Sequence, residues 1–188
     1  MDFWKIYDQY YERVKKFIRS VVKDEWVAED LIQETFIKVQ KNLAALEDPS
    51  KLSAWIFRIA YNLCQDHFRS KKNTVQSDQT PLEKIGLTTE LPFQKQLEQH
   101  QMSACVQDKI DRFLPEPLRI VLTLYDLMEF THQEIADVLD ISVENAKVRL
   151  HRARKKLKDV LKVECHLEHD ERNVLVCEPV VVRNRTLD

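Results

Sequence analysis

The chain is 188 residues long, 44% hydrophobic and 32% charged, with a formal net charge of −2. That length suits one ordinary domain or two small ones, and so neutral a molecule does not attract nucleic acid through its overall field. Its single glycine, Gly86, excludes P-loops, dinucleotide fingerprints and G-x-S-x-G nucleophile elbows, and argues for a mostly helical fold.

No apolar run is long enough to span a membrane, and the opening MDFWKIYDQYYERV lacks a signal peptide's basic start and apolar core. A cytoplasmic protein with no direct membrane insertion is expected. Its four cysteines, Cys64, Cys105, Cys165 and Cys177, are expected to be reduced thiols.

Phe3, Ile6, Tyr7, Tyr10, Val14, Phe17, Ile18 and Val21 lie at helical spacing and predict a first amphipathic helix. Val27, Leu31, Ile32, Phe36, Val39 and Leu43 predict a second. Around this second stripe sit acids: Asp24, Glu25, Glu29, Asp30 and Glu34. In a DNA-directed protein, acids do not face phosphate, so they point to a protein partner with basic residues. Asp30 and Glu34, four residues apart, also suit a metal-dependent nuclease, but no matching second pair of ligands follows.

Pro49 marks a break, after which Leu52, Trp55, Ile56, Ile59, Ala60 and Leu63 begin a third long helix with Ser53 as an early cap. A second face of this helix carries Phe57, Tyr61 and Phe68, and a third carries Arg58, Asn62, Arg69 and Lys72. Rings beside cations suit single-stranded DNA, because bases stack on rings while cations hold the backbone. Aromatic stripes at helical spacing are also commonly packed in a core, so both readings stand at this point.

Residues 73–100, with Pro81, Gly86, Pro92 and weak periodicity, read as a linker. Helical pattern resumes near Leu97, Leu114-Pro115-Glu116-Pro117 punctuates it, and Leu118 to Leu127 reads as a further helix.

Residues from Thr131 read as a helix-turn-helix, a form whose second helix enters the DNA major groove. Thr131 with Glu134 makes a capping box, and Ile135, Ala136, Val138 and Leu139 supply the inward face. Asp140 stands at the turn, where glycine is common, because Asp tolerates the left-handed conformation better than most residues. Ser142 is a second N-cap. In the second helix, Val143, Ala146, Leu150, Ala153, Leu157 and Leu161 face inward, while Asn145, Arg149, Arg152 and Lys156 share the opposite face. From Asn145 to Lys158 there are seven lysines and arginines and no acid. Solvated surface helices usually mix both signs, so this run favours DNA.

The tail beyond Val163 is distinct. Val180, Val181 and Val182 after Pro179 suit a short strand or a disordered extension. Cys165, His166, His169 and Cys177 are conceivable zinc ligands, but their irregular spacing makes a weak signal.

The stretches AEDLIQETF (28–36), AWIFRIAYNLCQDHFR (54–69) and LPEPLRIVLTLYDLMEFTHQEIADVLDISVENAKVRLHRARKKL (114–157), in this order, resemble a bacterial sigma factor of the extracytoplasmic-function (ECF) group. The resemblance implies that Asp30, Leu31, Gln33, Glu34 and Phe36 dock on core RNA polymerase. It implies that Trp55, Arg58, Tyr61, Asn62, Asp66, Arg69 and Lys72 lie at the opened −10 strand. Ser142, Asn145, Lys147, Arg149, Arg152 and Arg154 would lie at the −35 element. Two features depart from the family's pattern: Asp140 replaces the expected turn glycine, and the Cys/His-containing tail exceeds it.

The expectation is therefore an all-α chain of two small helical domains joined by a flexible linker. Residues 1–72 are expected as the polymerase-binding and −10 part (sigma region 2), 73–100 as linker, 101–162 as the −35 part (region 4), and 163–188 as an extension of unassigned role. No catalysis and no cofactor are expected. The expected partners are core RNA polymerase, promoter DNA and an anti-sigma factor. The rival reading, a dimeric regulator that binds duplex operators by itself, is disfavoured by the near-neutral charge and the acidic cluster around Asp30.

Overall fold

A computed structural model of the chain describes residues 2–73, 105–169 and 175–179. Its helices are α1 (Phe3–Val21), α2 (Glu25–Asn42), α3 (Leu52–Asn73), α4 (105–113), α5 (Glu116–Leu122), α6 (His132–Leu139) and α7 (Val143–Glu164). Two strands follow, β1 (Cys165–His169) and β2 (Leu175–Pro179). The described residues divide into two units, 2–73 with 116–150, and 105–115 with 151–169 and 175–179.

In the first unit, α1, α2 and α3 pack against one another and α6 packs on α3. Val14, Phe17 and Ile18 of α1, Ile32 and Val39 of α2, Ile56 and Phe57 of α3, and Ile135 and Val138 of α6 are fully buried. Each such side chain contributes about 1.5–3 kcal/mol of apolar burial. Asp2 caps α1 by accepting from the Trp4 N–H at 3.0 Å. Asp24 caps α2 by accepting from Trp26 and Val27 at 3.0 and 3.2 Å.

The start of α3 differs from the expected cap. Ser53 lies inside the helix, and a single 3-10 turn, Pro49–Lys51, leads into it. Asp48 caps that turn, accepting from the Ser50 N–H at 2.9 Å and the Ser50 hydroxyl at 2.7 Å. The turn arises because Pro49 has a fixed φ suited to a first helical position and has no N–H to satisfy.

The helix expected through Leu127 ends as an α-helix at Leu122 and widens into a π turn over Thr123–Leu127. Glu129 then turns the chain with φ 58°. Phe130 beyond it is 3% exposed, its N–H donating to the Leu124 carbonyl at 3.0 Å.

In the second unit, Lys109 of α4 is 7% exposed and its ammonium sits 2.9 Å from Glu164 Oε2 of α7. The ion pair satisfies a charge that burial would otherwise penalise. A shallow cavity of about 350 Å³ is lined by Phe113, Lys156, Asp159, Val160, Val163 and Glu164.

The helical expectation describes both units, and the tail adds to it. β1 and β2 form an antiparallel ribbon in which Leu167 faces Cys177 and His169 faces Leu175. The strand expected at Val180–Val182 lies outside the described residues. Val176 is a strand-favouring residue, and Pro179 sits at the ribbon's end, where a missing N–H is tolerated.

Candidate nucleic-acid interface

The helix-turn-helix forms from local chemistry. Thr131 Oγ1 accepts from the Glu134 N–H at 3.2 Å, and Glu134 Oε2 accepts from the Thr131 N–H at 2.8 Å, completing the reciprocal capping box. Asp140 ends α6 in the left-handed conformation, φ 55° and ψ 49°. Its N–H and that of Ile141 both return to the Ala136 carbonyl, which closes the helix end. Ser142 then caps α7, its Oγ accepting from the Asn145 N–H at 3.1 Å. Ala146 and Leu150 are buried beneath. The outer surface of α7 is thereby fixed in angle by caps at both ends of the three-residue turn Asp140-Ile141-Ser142.

Of the residues expected at the −35 element, Ser142, Asn145 and Lys147 are exposed and Arg149 is partly buried. Arg149 Nε donates to Asn145 Oδ1 at 3.0 Å. Further along α7, Arg152 and Arg154 are exposed.

On α3, Arg58, Asn62, Asp66 and Arg69 are exposed and follow one another at helical spacing, so they share one polar face. Arg69 Nη1 lies 3.3 Å from Asp66 Oδ1, and Arg58 Nη2 lies 3.0 Å from Asp140 Oδ1. Trp55 is partly buried. The Lys72 side chain lies outside what the structure describes.

The aromatic residues of α3 divide. Phe57 is fully buried, 5.3 Å from the Phe17 ring and 4.8 Å edge-on from Phe130. It is a core residue here, not a stacking platform for bases. Tyr61 and Phe68 are partly exposed and keep that possibility. Burial raises the Tyr61 phenol above its ordinary value, helped by Glu116 and opposed by Arg149 and Arg69, so it stays neutral and able to donate. Cys64, behind it, is pushed up to about 12 by burial and by Glu116.

The acids of α2 separate by role. Asp24 is a cap, and Glu25 and Glu29 hold Arg19 at 2.9 and 2.8 Å. Asp30, Gln33 and Glu34 are exposed, with Glu34 3.2 Å from Lys38. Leu31 and Phe36 are buried, the Phe36 ring 4.8 Å from Tyr7. Two residues that the sequence reading passed over join the exposed surface: Trp26 at 86% and Ile37 at 49%. With Asp30 and Gln33 between them, they form one helical row. The signal was present, since Trp26 lies outside the apolar stripe of α2.

The side chains of Cys165, His166, His169 and Cys177 lie outside what the structure describes. The ribbon register places His166 opposite Glu178.

Residues 6–74 match the family described as sigma-70 region 2, and residues 112–157 match that described as sigma-70, region 4. The RNA polymerase sigma factor SigZ of Bacillus subtilis (strain 168) is 34% identical over 170 residues, spanning 90% of this chain and 93% of that protein. The ECF RNA polymerase sigma factor SigM of the same organism is 34% identical over 155 residues, spanning 82% and 91%. In fold, the chain is similar to the sigma factor RpoE from Bartonella quintana, solved in complex with the anti-sigma factor NepR. The TM-score is 0.70, with 24% identity over 87% of this chain and 98% of that one.

Proposed function

Because this chain belongs to the RNA polymerase sigma factors of the ECF group, we propose that it binds core RNA polymerase, directs it to specific promoters and promotes initiation. The observation that carries the reading is the capped helix-turn-helix. Its second helix exposes Lys147, Arg152 and Arg154 on a run with no acid from Asn145 to Lys158.

In this reading, residues 1–72 are region 2, 73–100 a linker, 101–162 region 4, and 163–188 an extension. The exposed row Trp26, Asp30, Gln33, Glu34 and Ile37 docks on polymerase, with Leu31 and Phe36 holding α2 in place from inside. Arg58, Tyr61, Asn62 and Arg69 meet the opened −10 strand, with Trp55 and Asp66 beside them and Lys72 continuing the same face. Ser142, Asn145, Lys147, Arg149, Arg152 and Arg154 meet the −35 duplex. The chain does not break or form covalent bonds; strand opening is driven by tighter binding to open than to closed DNA. A net charge of −2 leaves polymerase to supply most phosphate contacts. Control by an anti-sigma factor, of the kind seen with RpoE and NepR, and work in the cytoplasm belong to the same proposal.

In vitro transcription with core polymerase and this chain tests it. Discrete promoter-specific transcripts that require the chain are expected. Their absence across genomic fragments, with the chain folded, refutes the reading.

A further inference from the structure

Val148 is 45% exposed in the second turn of α7. Ala146 and Leu150, each two residues from it, are buried. At about 100° per residue, Val148 points roughly 180° from their mean direction, at the outward pole of the helix. Asn145 stands about 120° from that inward direction and Arg149 about 80° on the same side, with Lys147 about 80° away on the other. These three polar residues therefore flank the pole. Arg149 is partly buried, and its Nε donates to Asn145 Oδ1 at 3.0 Å.

A helix lying in the major groove turns its outer pole to the base edges. The flanking Asn145, Lys147 and Arg149 can donate hydrogen bonds to bases or phosphates, and Val148 can donate to neither. Of the groups that base pairs present in that groove, the thymine 5-methyl is the apolar one. Single apolar residues elsewhere on a surface need no explanation. At the pole of an acid-free basic run, however, the valine occupies the place from which a base is touched.

We propose that Val148 reads the 5-methyl group of one thymine in the −35 duplex, so that the promoters of this chain carry an A·T pair there with the thymine on a fixed strand. This rests on the reading of α7 as the −35 helix. The contact takes the thymine methyl and the valine side chain out of water together. It rejects cytosine, which has no methyl at C5 and whose N4 amine would meet an apolar surface with its donor unpaired. It also supplies a sequence preference that the cations of the helix, where they hold phosphate, do not.

The test uses holoenzyme assembled from core polymerase and the full chain, on promoter duplexes that it transcribes. Each thymine of the −35 element, on either strand, is replaced singly by deoxyuridine, which removes the methyl and keeps the base pair. With the native chain, one position is expected to lose binding by about four-fold, the ratio for one methyl group removed from water. Val148→Ala should bind the native duplex more weakly and be indifferent to deoxyuridine at that position. Val163→Ala, which truncates another exposed valine of α7, should keep the full sensitivity. Circular dichroism verifies the fold of both variants. Native holoenzyme indifferent to every deoxyuridine overturns the proposal, and so does Val148→Ala that keeps the sensitivity or Val163→Ala that loses it. In each case the −35 reading stands as long as scrambling the element still abolishes initiation. If scrambling is harmless, the −35 reading of α7 falls and the thymine contact falls with it.

Discussion

Arg149 Nε donates to Asn145 Oδ1 over 3.0 Å, one turn back along α7. The amide thus holds the guanidinium's stem in one rotamer and leaves its terminal nitrogens for a ligand. Arg149→Ala is expected to weaken −35-dependent initiation by about 1–3 kcal/mol, the range for one good base contact. Asn145→Ala should cost less unless Asn145 also reads a base. Quantitative transcription from promoters with intact and scrambled −35 elements checks this. An Arg149→Ala protein that still discriminates them would remove α7 as the reader.

Trp26 is 86% exposed and shares a row with Asp30 and Gln33. A large aromatic ring left in water on a surface proposed to dock is a candidate anchor, and such anchors cost about 2 kcal/mol or more when truncated. Trp26→Ala should weaken binding to core polymerase by roughly thirty-fold or more, and Asp30→Lys with Glu34→Lys should weaken it further. Titration against labelled core polymerase measures both; unchanged affinity in the two proteins would remove this face from the interface.

Phe57 is fully buried between Phe17 and Phe130. Phe57→Ala should therefore lower folding stability by about 3–5 kcal/mol, read from urea denaturation. Tyr61→Ala, at a partly exposed position, should cost less stability and instead weaken binding to −10 single strands. If Phe57→Ala melts like the native protein yet fails on DNA, the packing account is wrong.

Asp48 is held below its ordinary carboxylate value of 3.8 by its hydrogen bonds from the Ser50 hydroxyl and N–H. A depressed folded value means that the cap stabilises fully above the unfolded value and is lost as pH falls through the folded one, in a window below 3.8. Asp48→Asn should thus lower stability at neutral pH, where the carboxylate's contribution is complete, and converge with the native protein in acid, flattening the acid limb of the stability–pH curve. Hydrogen exchange at the start of α3 in acid provides the measurement; identical acid limbs would contradict it.

Cys64, raised to about 12 by burial, should remain a thiol and resist alkylation in the folded protein at neutral pH. Cys105, partly exposed, should react first of these two. Peptide mapping after brief treatment with a maleimide decides it, since early modification of Cys64 would place it at the surface.

Much of the candidate site was legible because it is local. The Thr131–Glu134 box, the left-handed Asp140 and the Ser142 cap each depend on residues within a few positions of one another. So does the helical row that brings Arg58, Asn62, Asp66 and Arg69 to one face. Other features were hidden because they depend on partners far along the chain. Nothing near Phe57 says that Phe130 will cover it. The acids of α2 look alike in sequence, yet Arg19 takes Glu25 and Glu29 and leaves Asp30 outward.

Periodicity, caps and the scarcity of glycine by themselves determined a helical chain with a helix-turn-helix bearing a one-signed basic run, because those are short-range properties of the backbone. Only the tertiary structure decided which aromatic residues enter the core, which α2 residues stay in water, and that Arg58 meets Asp140. Those outcomes follow from burial and long-range pairing, where a side chain's role depends on what packs against it.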